Sequence, residues 1–187
     1  MYVIGITGGT CSGKTTLTQA LADKLIADGY AVKVIHMDSY FKNPTPTVIA
    51  PFTGIEYSEH NHPDSFRMQE FYDAVDEAVK GDETYLFLEG LLVLHLEYIR
   101  NKLDLKLFID LQSDERLVRR IKRFQKNNNQ TLEEISDRFL DTVRYRHAEF
   151  VEPSRWYADL VINGCFNLNN GTDIICDYIK LKGGDKV

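Results

Sequence analysis

The stretch Gly8-Gly9-Thr10-Cys11-Ser12-Gly13-Lys14-Thr15 constrains this chain more than any other. It fits G-x-x-x-x-G-K-[ST] and lies between an apolar run, Tyr2 to Thr7, and an amphipathic run that begins at Lys14. Glycines let the backbone curl so that successive N–H groups point inward at phosphate oxygens, at the positive end of the following helix. In that arrangement Lys14 reaches the β and γ phosphates of a nucleotide and the Thr15 hydroxyl ligates Mg²⁺. Gly8 through Thr16 are therefore the candidate nucleotide-binding residues, against the plainer reading of a glycine-rich turn that binds nothing. Cys11 sits inside the loop, where a helix dipole lowers a thiol pKa, although a small residue lending its backbone N–H explains it more simply.

Strand-length apolar runs alternate with longer amphipathic stretches, the βαβα pattern of a parallel sheet covered by helices. The expected strands are Tyr2 to Thr7, Ala31 to Met37, Tyr85 to Leu88, Leu105 to Asp110 and Leu160 to Asn163. The expected helices are Lys14 to Asp28, Asp64 to Lys80, Ser113 to Lys126, Thr131 to Phe150 and Thr172 to Lys182. Between Ser39 and Pro63, Pro44, Pro46, Pro51 and Gly54 forbid a continuous helix, so a long loop, functional or mobile, is expected there. A length of 187 residues with no linker or repeat suits one domain, 1–187.

With 43% hydrophobic and 27% charged residues the composition is that of a globular protein. The net charge of −6 argues against a nonspecific nucleic-acid binder. Its distribution is uneven: residues 1–99 carry 6 basic and 14 acidic groups, whereas residues 100–155 carry 13 and 10. Cys11, Cys165 and Cys176 are too scattered for a disulfide framework or a paired zinc site. No run approaches the roughly 18 apolar residues of a membrane span, and no signal-peptide pattern opens the chain. A soluble cytoplasmic protein is expected.

Two carboxylates stand where the second and third strands deliver them, Asp38 and Glu89. Ligands of open α/β sheets sit beyond the carboxyl ends of the strands, so both acids should face the phosphate loop. Phosphoryl transfer needs one group to receive the acceptor's proton and another to help hold the metal. Asp38, beside the long loop, is the candidate general base and Glu89 the metal candidate; either could instead cap a loop or helix. Arg116, Arg119, Arg120 and Arg123 follow at i, i+3, i+4 and i+7, sharing one helix face. That face suits a lid over the transferring phosphoryl group, approximately residues 113–150, against the alternative of a solvated charge run. The His60/His62 pair has no further ligand cluster nearby and reads as loop polarity. Pro63-Asp64-Ser65-Phe66 looks like a helix start with Asp64 or Ser65 as N-cap. Asn101-Lys102-Leu103-Asp104 has the N-K-x-D form that reads guanine in GTPases, but it precedes its strand instead of following it. It is taken as a helix-end turn.

Together these residues resemble the uridine kinase family of P-loop kinases, with nicotinamide riboside kinase and phosphoribulokinase as more distant relatives. The likeness runs through GITGGTCSGKTT, MDSYF, NHPDSF, FLEG, DLKLFIDLQSDERLVRRIKR and FVEPSRWYADLVING, most of the chain. It implies a P-loop NTPase fold with a five-stranded parallel sheet, flanking helices and an Arg-rich helical lid. It also implies ATP or GTP donating its γ-phosphate, with Mg²⁺, to the 5′-hydroxyl of a ribonucleoside. By matching positions, the resemblance implies that Asp38 is the catalytic Asp, Thr15 and Glu89 the magnesium-site residues, and Arg120 and Arg123 lid arginines acting with Lys14. Tyr40, Phe41, Asn61, His62 and Arg116 are the candidate acceptor-site residues.

Three departures stand out against that family. Its Asp before His-Pro-Asp, which holds the ribose hydroxyls, is Asn61 here. Its base-reading hairpin is missing, since only Gly81 to Thr84 joins Lys80 to Tyr85. Its Arg-Gly-Arg after the lid helix aligns with Asn128-Asn129-Gln130, which raises Arg144 or Arg146 as replacements. The expected activity is a small-molecule kinase, most simply a nucleoside kinase, with no nucleic-acid or membrane partner. A nicotinamide riboside or other metabolite kinase, and a P-loop module without transfer activity, are the alternatives. The acceptor, ATP against GTP, and any homo-oligomer stay open.

Overall fold

The computed structural model describes residues 1–128, 130–165 and 169–184. In chain order, β1 (Tyr2–Gly8) leads into α1 (Lys14–Ala27), β2 (Val32–His36), β3 (Thr47–Ile49), β4 (Glu56–Ser58), α2 (Met68–Ala78), β5 (Tyr85–Glu89) and α3 (Glu97–Arg100). Then come β6 (Leu105–Asp110), α4 (Ser113–Asn128), α5 (Leu132–Arg138), α6 (Arg144–Arg146), β7 (Leu160–Asn163) and α7 (Asn169–Gly184). The main sheet has five strands in the order β2-β5-β1-β6-β7, every pair parallel. All five expected strands are in it.

Strands buried on both faces read as near-continuous apolar runs, and β1 is buried at all seven positions. Alternate residues serve opposite faces. Val3, Leu86, Leu88 and Phe108 pack with Phe71 and Val75 of α2. Ile4, Ile6, Phe87 and Leu107 pack with Leu17 and Leu21 of α1 and Ile175 and Ile179 of α7. The register sets the catalytic rim: Ile6 pairs with Glu89 and Glu89 with His36, so the ends of β2, β5 and β1 lie side by side. Buried Thr7 locks that rim, its hydroxyl donating to Gly90 O (3.2 Å) and accepting from Leu94 N (3.0 Å).

The structure departs from the sequence expectations at three elements. The helix expected from Asp64 starts at Met68, after a 3₁₀ turn at Pro63–Ser65 whose cap is the His62 side chain, not Asp64 or Ser65. Phe66 is fully buried, bridged to Phe41 as extended backbone, and its ring stacks on Phe41 at 4.5 Å; that anchoring holds the chain out of the helix. The Thr131 to Phe150 helix begins as expected, with a Thr131/Glu134 capping box. Two π turns, Phe139–Val143 and His147–Val151, then interrupt it and keep Phe139, Val143 and Val151 on the buried side. Within the long loop, β3 and β4 form a short antiparallel hairpin. Three-residue strands with exposed alternate positions leave too little periodicity to read from sequence.

Candidate active site

Between β1 and α1 the loop adopts the curled path its glycines permit. Gly13 has φ +105° and even Cys11 has φ +59°. A side chain at Gly8 would place its Cβ 2.5 Å from the Ile109 carbonyl, so only glycine lets the loop pass β6. Thr10, Cys11, Gly13, Lys14, Thr15 and Thr16 line a cleft of about 560 Å³, while Gly8, Gly9 and Ser12 are buried behind them. That volume is in the range of small-molecule sites. The Lys14 ammonium donates to Gly9 O at 3.1 Å. A second hollow, about 430 Å³, lies by Ala31, Lys33, Gly81 and Glu83, before the starts of β2 and β5. Ligands of such sheets bind at the opposite, carboxyl ends, which excludes it as the site.

Asp38 and Glu89 both reach the cleft, as expected of acids at strand ends. Asp38 sits in a 3₁₀ turn, Met37–Tyr40, pinned by fully buried Met37. Its carboxylate meets water through the open cleft, yet the surrounding protein desolvates it. Desolvation first, then repulsion from Glu89, holds its pKa above the ordinary value against the pull of Lys14, Arg123 and His36. A raised carboxylate pKa is what a proton acceptor at this position needs. Glu89 Oε2 accepts from the Thr15 hydroxyl at 3.3 Å and lies 2.9 Å from His36 Nδ1. His36 was not foreseen. Its signal was the residue ending β2, whose register places it opposite Glu89.

The arginine face divides. Arg119, Arg120 and Arg123 line the cleft. Arg120 donates to Thr10 Oγ1 at 3.2 Å, and burial pushes its pKa down to about 10. Arg119 is tied to Glu115 and to Gly164 O. Arg116, expected at the acceptor, is buried instead, its Nε donating to Leu111 O and its guanidinium packed against Gly9. The face bends under the loop at its first turn because Gly9 leaves room for that side chain.

Of the residues expected at the acceptor, Phe41 and Asn61 line the cleft but Tyr40 and His62 do not. Tyr40 packs against Phe71, and His62 caps the Pro63–Ser65 turn and lies edge-on to Phe150. His60, read from sequence as loop polarity, lines the cleft with its ring against Phe41. Neither Arg144 nor Arg146 replaces the missing lid arginines. Arg144 bonds the Tyr145 hydroxyl, and Arg146 pairs with buried Glu59 (2.8 Å) and with Glu149 (2.7 Å). Arg138 is the additional cleft cation. Nothing marked it in sequence, because the π turn after it sets which way the helix faces. Asn129 lies outside the described residues. Asn101 to Asp104 forms the turn expected of it, far from the cleft, with Asp104 Oδ2 accepting from Val3 N at the start of β1.

A phosphate loop after the first strand, acids on two neighbouring strand ends and an arginine-bearing helix define the class of P-loop kinases. The Phosphoribulokinase / Uridine kinase family matches residues 55–167. The chain is 31% identical over 200 residues to the uridine kinase of Lactococcus lactis subsp. lactis (strain IL1403), covering 95% of both chains. It is 30% identical over 204 residues to the uridine kinase of Chlamydia pneumoniae, covering 96% of this chain and 89% of that one. Shikimate kinase from Acinetobacter baumannii shares the fold at a TM-score of 0.56 and 17% identity, over 100% of this chain and 96% of that one. The chain belongs to the phosphoribulokinase/uridine kinase family.

Proposed function

We propose that this protein transfers the γ-phosphate of ATP to a ribose hydroxyl, the 5′-hydroxyl, of a nucleoside, as the uridine kinases it is similar to are named for doing with uridine. The observation that carries this reading is the convergence of Lys14, Thr15, Asp38 and Glu89 on one cleft large enough for a small acceptor beside the phosphates. The phosphate-loop N–H groups and Lys14 hold the β and γ phosphates. Asp38 accepts the hydroxyl proton as the acceptor oxygen attacks, and Arg120 and Arg123 stabilise charge on the transferring group. Arg119 and Gln130 also line the cleft.

Thr15 Oγ1 and Glu89 Oε2, 3.3 Å apart beside the loop, are the oxygen donors that suit a hard divalent cation. Mg²⁺ held there would neutralise negative charge on the phosphates. We place the enzyme in the cytoplasm: Cys11, Cys165 and Cys176 are free thiols, and no described helix is long and apolar enough to cross a membrane. Retention of both acids speaks against a P-loop module without transfer activity.

Incubation with ATP, Mg²⁺ and a panel of nucleosides and vitamins, read by mass spectrometry, tests the reading. Uridine or cytidine should gain one phosphate. A product from another metabolite alone would replace the nucleoside assignment, and nucleotide binding without any product would remove the kinase reading.

A further inference from the structure

Glu89 is a buried carboxylate tied at one oxygen by side chains from two different elements. The Thr15 hydroxyl, at the start of α1, donates to Oε2 at 3.3 Å, and His36 Nδ1, at the end of β2, lies 2.9 Å from the same oxygen. The two ties are unequal. An O–H donor bonds best at about 2.7–2.8 Å and an N–H donor at about 2.9–3.0 Å, so the threonine bond is stretched and the histidine bond sits at its optimum. An ionised carboxylate only accepts, so the contact places a proton on His36 Nδ1.

Glu89 needs such a hold. It repels Asp38, its neighbour in the cleft, and glutamate is among the side chains with the most rotamer freedom to lose. Strand pairing delivers the partner: β2 and β5 run parallel with His36 opposite Glu89, each the last residue of its strand, so the two side chains meet at the carboxyl rim of the sheet. The backbone ladder from Val32 to His36 already fastens β2 to β5, so the strands do not depend on this bond. Thr15 and Glu89 line the cleft and His36 does not, so the imidazole can act only through the carboxylate it holds.

We propose that His36 is a positioning residue for the magnesium site: its Nδ1–H fixes the Glu89 carboxylate beside the Thr15 hydroxyl, so that the pair is ordered before a cation arrives. Partners that orient a metal's ligands from outside typically change metal affinity or activity by about 10- to 100-fold when removed. The proposal rests on the kinase reading with Thr15 and Glu89 at the cation, and adds the residue that orders them.

Calorimetric binding of a non-hydrolysable ATP analogue, with and without Mg²⁺, tests it apart from turnover. His36→Ala should remove most of the Mg²⁺-dependent gain in affinity, leave the affinity without Mg²⁺ as in wild type, and raise the Mg²⁺ needed for half-maximal turnover by about tenfold or more. His36→Asn, whose amide nitrogen falls near the place of Nδ1, should recover most of the gain; His36→Gln, whose amide falls near Nε2, should not. That comparison stands even if His36→Ala melts too low to study. In a Glu89→Gln background His36→Ala should add little, since the two residues act as one. Equal losses of affinity with and without Mg²⁺, equal behaviour of the Asn and Gln variants, or additive losses in the Glu89→Gln background overturn the proposal. A Mg²⁺ gain unchanged by His36→Ala but lost in Glu89→Gln also overturns it and leaves the cation reading standing. A gain unchanged in both removes the cation reading as well.

Discussion

Replacing Asp38 with Asn isolates what the carboxylate does from what its position does, since size and hydrogen-bonding reach are kept. A general base contributes about 10² to 10⁴ in rate. Turnover of Asp38→Asn should therefore fall by at least about a hundredfold, with the KM for ATP nearly unchanged, because a general base acts on the acceptor hydroxyl and not on the bound nucleotide. The same change should stabilise the fold. Desolvation and Glu89 hold the Asp38 pKa above its unfolded value, so the ionised form is disfavoured in the native state. Its cost is absent below the unfolded pKa and grows as pH rises through the folded pKa. Asn carries no such cost. Because the cleft is open to water, the gain stays under about 1 kcal/mol. For a chain of 187 residues that is a rise in Tm of up to about 3 °C. Initial rates and thermal melts at pH 8, repeated as pH falls toward 4, give both readouts. The melting advantage should shrink on acidification. Wild-type turnover in the variant, or a lower Tm than wild type at pH 8, would refute the reasoning.

Two further outcomes follow from the packing. Gly8→Ala should cost about 1–3 kcal/mol of stability in urea titration and weaken nucleotide binding, since its Cβ would lie 2.5 Å from a backbone carbonyl that cannot swing aside; native-like binding of ATP would contradict the tight passage past β6. Burial, with the fields of Arg116 and Lys14, depresses the His147 pKa from 6.5 to about 4 and outweighs the half-exposed Glu152 carboxylate 3.3 Å from Nε2. Stability from this residue is thus full above about pH 6.5 and is lost as pH falls toward 4, on the order of 2–3 kcal/mol. His147→Gln should flatten that part of the stability profile in urea midpoints between pH 7 and 4.5, and an unchanged slope would show that other groups set it.

How far the sequence alone reached depended on whether a feature was local. The phosphate loop was legible because its function needs consecutive residues, glycines for a curled backbone and then Lys14 and Thr15 at fixed offsets. The five strands were legible because a parallel sheet buried on both faces demands uninterrupted apolar runs. Asp38 and Glu89 could be placed at the rim from strand ends alone.

The acceptor end was not legible, since it is assembled from segments that meet only in the folded chain. His60 and Arg138 are 78 residues apart and come together through a hairpin of three-residue strands and a π turn, neither of which leaves a periodic trace. The same geometry turned Arg116 under the loop, and it engaged Arg146 with Glu59, where helical spacing alone had suggested a shared lid face and a replacement cation. Sequence determined the curled, lysine-bearing loop at the end of β1, because backbone curvature and charge there are set by neighbours along the chain. Tertiary structure alone decided which cations line the cleft, because desolvation and pairing depend on what packs alongside.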